Sequence, residues 1–203
     1  DGCTEDIDFT VSIVANPTVG IDGPVNDEIC DGASFTLTGT GASTYTWDNV
    51  TDGINGFDTG ETITLPAGEV TTAGGPVQFR VTGTIGGGSC QNTATITINS
   101  VAPITGAGIT GAGPICLGED ITLDATYATA DSYEWATTAA PGTVLGTNPT
   151  LTVSPTATTQ YQCTITDGPC TETVNATVTV NTATTPNISI AAGSDPSCAG
   201  QLV

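Results

Sequence analysis

The chain has 203 residues, enough for one large domain or two of ordinary size, and it carries 21 acidic residues against a single base, Arg80, for a net charge of −20. A charge this negative repels phosphate backbones and anionic lipid headgroups, so we expect no nucleic-acid partner; no apolar run approaches the roughly 20 residues that a membrane helix needs, so we expect no membrane insertion. Because His, Lys and Met are absent, the commonest general base and the Schiff-base nucleophile are missing together, and we predict a non-enzyme with no catalytic residue.

The opening residues of the chain recur near its end. The stretch CTEDIDFTVSI, residues 3–13, has a near copy in CTETVNATVTV, residues 170–180, and Cys90 opens a similar run. In each run, Thr and other polar residues alternate with aliphatic ones. Alternation with a period of two predicts a strand with one buried face, so these cysteines mark the final strand of a repeating unit.

A second series of cysteines interleaves with the first. Cys30, Cys116 and Cys198 lie 86 and 82 residues apart, and each begins a C-x-G motif that leads into a strand. The two series divide the chain, and the division predicts a segment of a longer array of repeats. In chain order we expect the last strand of a preceding unit (1–14), two complete units (15–101 and 102–182) and the first strands of a following unit (183–203). An alternative is that the end segments complete neighbouring subunits by strand addition.

The two complete units carry the same landmarks in the same order. Tyr45-Thr-Trp47 in the first unit corresponds to Tyr133-Glu-Trp135 in the second. Five to seven short strands, separated by Asp-Gly, Gly-Gly and Pro-Gly turns, predict two antiparallel sheets packed face to face in each unit. The predicted fold class is therefore all-β, with tandem β-sandwiches whose cores contain the two tryptophans.

Residues 48–61, DNVTDGINGFDTGE, gather an oxygen-rich set of side chains. Its carboxylates are Asp48, Asp52, Asp58 and Glu61. Oxygen ligands of this kind bind calcium, so a calcium site is one interpretation, and calcium is the one cofactor that we consider. The loop is not an EF-hand, because Val50 stands where that motif needs Asp or Asn and Thr59 stands where it needs the bidentate acid. The interpretation that we favour is a polar turn between strands.

The order of these landmarks resembles a known group of repeats. A C-x-G motif, a strand, Y-x-W, a Thr-rich stretch, an aromatic-led strand and a final cysteine with its Thr/Val strand follow one another in each unit. This order is similar to the immunoglobulin-like and PKD-like repeats of Bacteroidetes cell-surface proteins. The PKD motif W-D-F-G-D-G is absent, so the immunoglobulin-like label is the better one. The resemblance implies tandem immunoglobulin-like modules in a large secreted protein of the kind that includes gliding adhesins and type IX secretion substrates.

The seven cysteines indicate an oxidising, extracellular compartment. We predict two disulfides, Cys30 with Cys90 and Cys116 with Cys170, each closing a loop of roughly 55 to 60 residues and adding on the order of 4 kcal/mol in the chain-entropy model. In a strict immunoglobulin layout, however, the two cysteines of each pair lie at opposite poles. Either the topology differs from that layout or the pairs are wrong.

Three cysteines remain outside these pairs. We predict that Cys3 and Cys198 form disulfides with neighbouring modules. Cys163 aligns with Val81 of the first unit, a core position beside Trp135, so we predict a buried free thiol rather than a reactive one.

The function that these features favour is structural. We predict a spacer segment of a large, repeat-built filament or adhesin at the cell surface, with neighbouring modules of the same chain as its partners and self-association into a filament as a further expectation. One alternative is a module whose loops bind a glycan or a protein. Another is the stalk of a secreted enzyme.

Overall fold

The computed structural model describes residue 2, residues 8–11, residues 13–88 and residues 90–182. Within these ranges the regular structure consists of strands and two short 3-10 turns, Val25–Asp27 and Gly86–Gly88. The first eight strands are β1 Gly20–Asp22, β2 Glu28–Cys30, β3 Phe35–Thr40, β4 Thr44–Asn49, β5 Ile54–Asp58, β6 Thr62–Leu65, β7 Val77–Ile85 and β8 Cys90–Val101. The next six are β9 Pro114–Cys116, β10 Ile121–Asp124, β11 Ser132–Thr137, β12 Thr150–Val153, β13 Thr159–Asp167 and β14 Cys170–Asn181.

Strands β1 to β8 form the first sandwich. Its two sheets have the strand orders β1-β3-β6 and β2-β8-β7-β4-β5. Alternate residues of β7 are buried, as a period-two pattern of aliphatic and polar side chains requires. The buried residues of both sheets meet in one hydrophobic core, in which Leu37, Trp47 and Phe79 are fully buried.

Strands β9 to β14 form the second sandwich on the same plan. Its sheets have the orders β10-β12 and β11-β13-β14-β9, and a bridge between Thr110 and Asp124 adds to the first of them. A separate core contains Leu123, Trp135 and Ile165. No sheet among the described residues contains strands from both sandwiches.

The tryptophan of each sandwich is held in the same way. The indole Nε1 of Trp47 donates a hydrogen bond to the carbonyl oxygen of Gly60, and that of Trp135 donates to Asn148, both at 2.8 Å. Both side chains are fully buried. A buried indole N–H needs a partner, so this shared bond fixes each ring in its core.

The strand order is that of an immunoglobulin-like sandwich. In such a fold, strands B and E share one sheet, and strands C, F and G share the other. In the first sandwich, β3 and β6 pair in one sheet, and β4, β7 and β8 are neighbours in the other. In the second sandwich, β10 and β12 pair in one sheet, and β11, β13 and β14 are neighbours in the other. In each sandwich a short strand, β2 or β9, pairs parallel with the final strand. The predicted all-β, immunoglobulin-like fold class is confirmed.

The ends of the chain are described only in part. Residues 8–11, 13 and 14 are exposed and belong to no strand. The segment 183–203, predicted to begin a following unit, lies outside the described residues. No helix in the described ranges is both long and apolar enough to cross a membrane.

Candidate functional site at the junction of the two sandwiches

The first sandwich brings Cys30 to the point at which the chain leaves it. Strand β2 pairs parallel with β8, and Cys30, the last residue of β2, is in register with Val101, the last residue of β8. The backbone N–H of Asp31 donates to the carbonyl oxygen of Val101 at 2.9 Å. We call this end of a sandwich, where its final strand stops, the exit pole.

The second sandwich presents Cys170 at the tip of a hairpin. Asp167 and Cys170 are the pair that closes the hairpin between β13 and β14. Gly168 has φ of +55°, a left-handed conformation that suits glycine in a tight turn, and its N–H donates to the Asp131 carboxylate at 2.7 Å. The hairpin tip is therefore fixed in place at the pole where the chain enters, which we call the entry pole.

A disulfide joins these two positions. Cys30 and Cys170 are bonded although 140 residues separate them, and their Cα atoms are 4.9 Å apart. Cys170 is 1% exposed, and its sulfur lies 3.7 Å from the carbonyl oxygen of Val101 and 3.5 Å from that of Ala102. We call this bond the inter-sandwich disulfide. It packs against the linker, so the junction has two covalent connections, the peptide chain and the disulfide.

The predicted pairs Cys30–Cys90 and Cys116–Cys170 are wrong. Cys90 is the first residue of β8, whereas Cys30 is in register with the last residue of that strand. Eleven residues of extended strand separate these positions by about 36 Å, far beyond the reach of a disulfide. The same strand length separates Cys170 from Asn181, the partner of Cys116. The bond instead connects the exit pole of one sandwich with the entry pole of the next.

Three cysteines among the described residues are free. Cys90 is half-buried and Cys116 is exposed, whereas Cys163 is fully buried, as predicted, in register with Trp135. Burial raises the pKa of the Cys163 thiol to about 11, because the core does not solvate a thiolate. The predicted partnerships of Cys3 and Cys198 with neighbouring modules lie outside the described residues.

A cleft adjoins the inter-sandwich disulfide. It has a volume of about 540 Å³ and lies between the turn at Val25 of the first sandwich and the hairpin tip at Pro169 of the second. Its lining includes the acidic residues Glu28 and Asp131 and no base, so its charge disfavours an anionic ligand.

The acid-rich loop 48–61 contains the edge strand of its sheet. Strand β5 lies within it and pairs with β4. The Asp48 carboxylate accepts hydrogen bonds from Arg80 Nη2 at 2.7 Å and Nε at 2.9 Å, and from the N–H of Gly56 at 2.7 Å. The lone base of the chain and a backbone amide thus occupy both oxygens of this carboxylate.

Two of the other predicted calcium ligands, Asp52 and Asp58, make separate hydrogen bonds. Asp52 accepts from the Asn49 side chain at 2.7 Å, and Asp58 accepts from the N–H of Gly60 at 2.8 Å. In the part of the chain that is described, no three His, Cys, Asp or Glu side chains are grouped closely enough to hold a metal ion. Calcium binding by Asp48, Asp52, Asp58 and Glu61 therefore stays a prediction, and hydrogen bonds of the loop itself already use the first three carboxylates.

Sequence reasoning missed the partner of Cys30. A signal was present in the two interleaved cysteine series, which place one cysteine at each pole of every unit. Combined with the opposite-pole difficulty, this arrangement favours a bond between consecutive units. The predicted pairs were instead chosen so that each disulfide closed a loop within one unit.

The fold and the junction define a class of protein: tandem immunoglobulin-like sandwiches linked by a disulfide between consecutive sandwiches. No family model matches the chain, and no curated protein matches it.

Among solved structures, the chain is similar to the three N-terminal domains of the bacteriophage RB49 outer capsid protein Hoc, with 17% identity, a TM-score of 0.38 and coverage of 82% of this chain and 59% of that one. It is also similar to the N-terminal four Ig domains of Dscam1 isoform 1.9, with 12% identity, a TM-score of 0.34 and coverage of 85% and 48%. It is similar as well to the titin I-band fragment I67–I69, with 12% identity, a TM-score of 0.36 and coverage of 84% of this chain and 67% of that one. The chain thus spans roughly half to two thirds of the length of these structures.

Proposed function

We propose that the chain is a load-bearing structural spacer, built from two consecutive units at 15–101 and 102–182, in a long repeat protein of the cell surface. The observation that carries this proposal is the inter-sandwich disulfide. In this proposal the chain is non-catalytic, and its partners are the neighbouring units of the same protein. A disulfide fits an oxidising, extracellular compartment.

The disulfide shortens the covalent path that carries tension. A pull on the two ends passes along the chain to Cys30, across the sulfurs to Cys170 and on to the other end. Residues 31–169 lie within the closed loop, so tension along the chain cannot extend them while the disulfide is intact. Most of both sandwiches is therefore protected from forced unfolding.

The same bond restricts bending at the junction. A single short linker acts as a hinge, whereas two connections at different points oppose rotation about either one. The linker carbonyls of Val101 and Ala102 contact the Cys170 sulfur, so the two connections lie side by side. A spacer benefits from this stiffness because it keeps its distal end away from the cell.

The surface charge disfavours side-by-side pairing between copies of this chain. The net charge of −20 makes neighbouring copies repel each other and opposes pairing at open edges such as β5. The resemblance of the repeats to those of Bacteroidetes surface proteins is the basis for placing the chain in an adhesin of the gliding or type IX secretion kind. Assembly into a filament stays a prediction.

Single-molecule force spectroscopy with handles on both ends tests the spacer role. We expect the oxidised chain to release only residues outside the closed loop, whereas the Cys30→Ser chain releases about 140 residues more, a gain of roughly 500 Å in contour length. Cys116→Ser is the matched control, because it removes an exposed free thiol and should extend like the wild type. Equal extension of oxidised and Cys30→Ser chains would contradict the proposal.

Glycan-array and cell-adhesion assays separate this function from the binding alternative. A spacer should bind no glycan and no cell at micromolar concentration. Specific, saturable binding by the 203-residue chain would favour a recognition module instead.

A further inference from the structure

We propose that Cys90 and Cys116 each form a further disulfide of the inter-sandwich kind, so that this bond repeats along the protein. Cys90 bonds to the exit-pole cysteine of the unit that precedes it, and Cys116 bonds to the hairpin-tip cysteine of the unit that follows residue 182. The partners are further copies of this repeat within one chain. The inference concerns connectivity and does not depend on the load-bearing role.

Cys116 occupies the position of Cys30 in the second sandwich. It is the last residue of β9 and is in register with Asn181, as Cys30 is the last residue of β2 and in register with Val101. The surrounding backbone bonds also match. Leu117 N–H donates to Asn181 at 3.2 Å and Glu119 N–H donates to Cys116 at 3.1 Å. Their counterparts Asp31 and Ala33 donate to Val101 and Cys30, each at 2.9 Å. Cys116 is exposed at the exit pole, where the next sandwich would begin.

Cys90 occupies the position of Cys170 in the first sandwich. It is the first residue of β8 and pairs with Ile85, the last residue of β7, as Cys170 pairs with Asp167. It therefore lies at the entry pole of its own sandwich. Its thiol is half-buried and free, which leaves the sulfur able to bond.

A contact of the Cys90 sulfur is an independent sign of the same junction. Cys90 Sγ lies 3.3 Å from the carbonyl oxygen of Val14, the residue before Ala15. At the described junction, the Cys170 sulfur lies 3.7 Å from the carbonyl oxygen of Val101, the residue before Ala102. The Cys90 sulfur thus already contacts the segment that enters its sandwich. The two sites differ in that Cys170 is disulfide-bonded and Cys90 is free.

The segment before Val14 carries side chains that suit a core of its own. Phe9 and Val11 are 81% and 70% exposed. Shifted by the repeat length of 87 residues, they correspond to Ile96 and Ile98, which are buried in the first core. The described residues contain no sheet that covers Phe9 and Val11. Apolar residues in alternate positions, outside any sheet, fit the final strand of a preceding sandwich.

Forming each bond is an oxidation of two thiols. The two sulfurs join and together lose two protons and two electrons. An oxidised thiol–disulfide oxidoreductase accepts the electrons, and its own disulfide becomes a dithiol. Cys163 does not compete, because it is fully buried and its thiol stays protonated.

Repeated disulfides would make the array almost inextensible. The covalent path enters at Cys90, follows β8 and the linker, and leaves at Cys116 after only 26 residues for every two units. Fully extended, 26 residues span about 90 Å. Two folded sandwiches built on twelve-residue strands such as β8 already span roughly 80 Å. Little length is left for tension to release.

Peptide mapping of the full-length protein tests the proposal. The protein is isolated from its source without reductant, treated with N-ethylmaleimide and digested with thermolysin, which cuts beside aliphatic residues. Residues 91–115 contain no acidic, basic or aromatic residue and no Leu, so trypsin, Glu-C and chymotrypsin would leave Cys90 and Cys116 on one peptide. We expect Cys90 bonded to a C-x-G cysteine that precedes residue 1, and Cys116 bonded to a cysteine that follows residue 203. Maleimide on either residue, or a bond between them, would overturn the proposal.

The 203-residue chain provides the matched control. There the same two thiols should react with N-ethylmaleimide in the folded, oxidised state, because their partners are absent, while the Cys30–Cys170 bond is retained. Protection of both thiols in the full-length protein only is the expected result. Equal labelling in both chains would refute the pairing without affecting the force measurement on the described disulfide.

Discussion

Cys30 ends β2 of the first sandwich and Cys170 begins β14 of the second, and a disulfide holds their Cα atoms 4.9 Å apart. The bond spans a junction that the backbone crosses only through Val101 and the residues after it. It converts two separately cored sandwiches into one covalently closed segment. Four expectations for stability follow from this bond and from the side chains that build each core.

Cys30→Ser should lower the free energy of unfolding by up to about 5 kcal/mol, the chain-entropy value for a loop of 140 residues. The loss arises because the unfolded chain regains the freedom that the closed loop denied it. Urea denaturation of oxidised wild type and variant measures the difference.

The double variant Cys30→Ser/Cys170→Ser supplies the control for that loss. Because either single change already removes the bond, the second should add little. A wild type that melts no higher in oxidant than in reductant would show that the bond does not stabilise the fold.

Trp47→Phe and Trp135→Phe should each destabilise the chain by roughly 1 to 3 kcal/mol. Each change keeps an aromatic ring but removes the indole donor to the carbonyl oxygen of Gly60 or Asn148, and it leaves a void where the larger indole packed in the core. Because the two bonds have the same length, the two losses should be similar. Chemical denaturation of both variants checks this, and a loss confined to one of them would contradict equivalent roles.

Asp48→Ala should be more harmful than Arg80→Ala. The aspartate is buried and holds both Arg80 and the N–H of Gly56, whereas the arginine side chain is 42% exposed and holds only the aspartate. We expect losses of roughly 2 to 4 kcal/mol for Asp48→Ala and about 1 to 2 kcal/mol for Arg80→Ala.

Hydrogen exchange at Gly56 separates the two effects of Asp48. The amide should lose protection in Asp48→Ala and keep it in Arg80→Ala, since only the first variant removes its acceptor. Equal exchange in both would show that the ion pair, rather than the carboxylate, holds β5.

Cys163→Ala should destabilise the second sandwich at neutral pH by roughly 1 to 2 kcal/mol, because it leaves a cavity beside Trp135. The difference from wild type should shrink as the pH rises above about 9. The folded-state pKa of this thiol is raised to about 11 from an ordinary value of 9.0, so its contribution is complete below the lower value and is lost as the pH rises toward the higher one.

The measurement for Cys163 needs a background without the accessible thiols. In chains in which Cys3, Cys90, Cys116 and Cys198 are all replaced by Ser, alkaline exchange with the disulfide is suppressed. Urea midpoints between pH 7 and pH 11 then compare Cys163 with alanine. If the difference in stability between Cys163 and alanine stays constant over this range, the pKa of the thiol is the same in the folded and the unfolded chain, and the prediction is wrong.

Much of the architecture was predictable because it depends on local patterns. Alternation of Thr with aliphatic residues predicted β8 and β14, and the recurrence of Y-x-W predicted that Trp47 and Trp135 would anchor two similar cores. The burial of Cys163 followed from its alignment with Val81. Each of these needs only the period of a strand and the position within a repeat.

The acid loop and the disulfide were not predictable in the same way. Whether Asp48 meets calcium or Arg80 depends on which strands lie beside β4, and the sequence spacing of carboxylates does not specify that. A local cluster of acids in the sequence became an edge strand once β5 paired.

The sequence by itself determined that there are two β-sandwiches, which faces of their strands are buried, and that two interleaved series of cysteines recur with the repeat. Only the tertiary structure decided which cysteines meet. A disulfide needs Cα atoms within about 7 Å, and an extended strand of twelve residues holds its ends several times farther apart. Cys30 therefore finds its partner in the next sandwich, at Cys170, and not in its own.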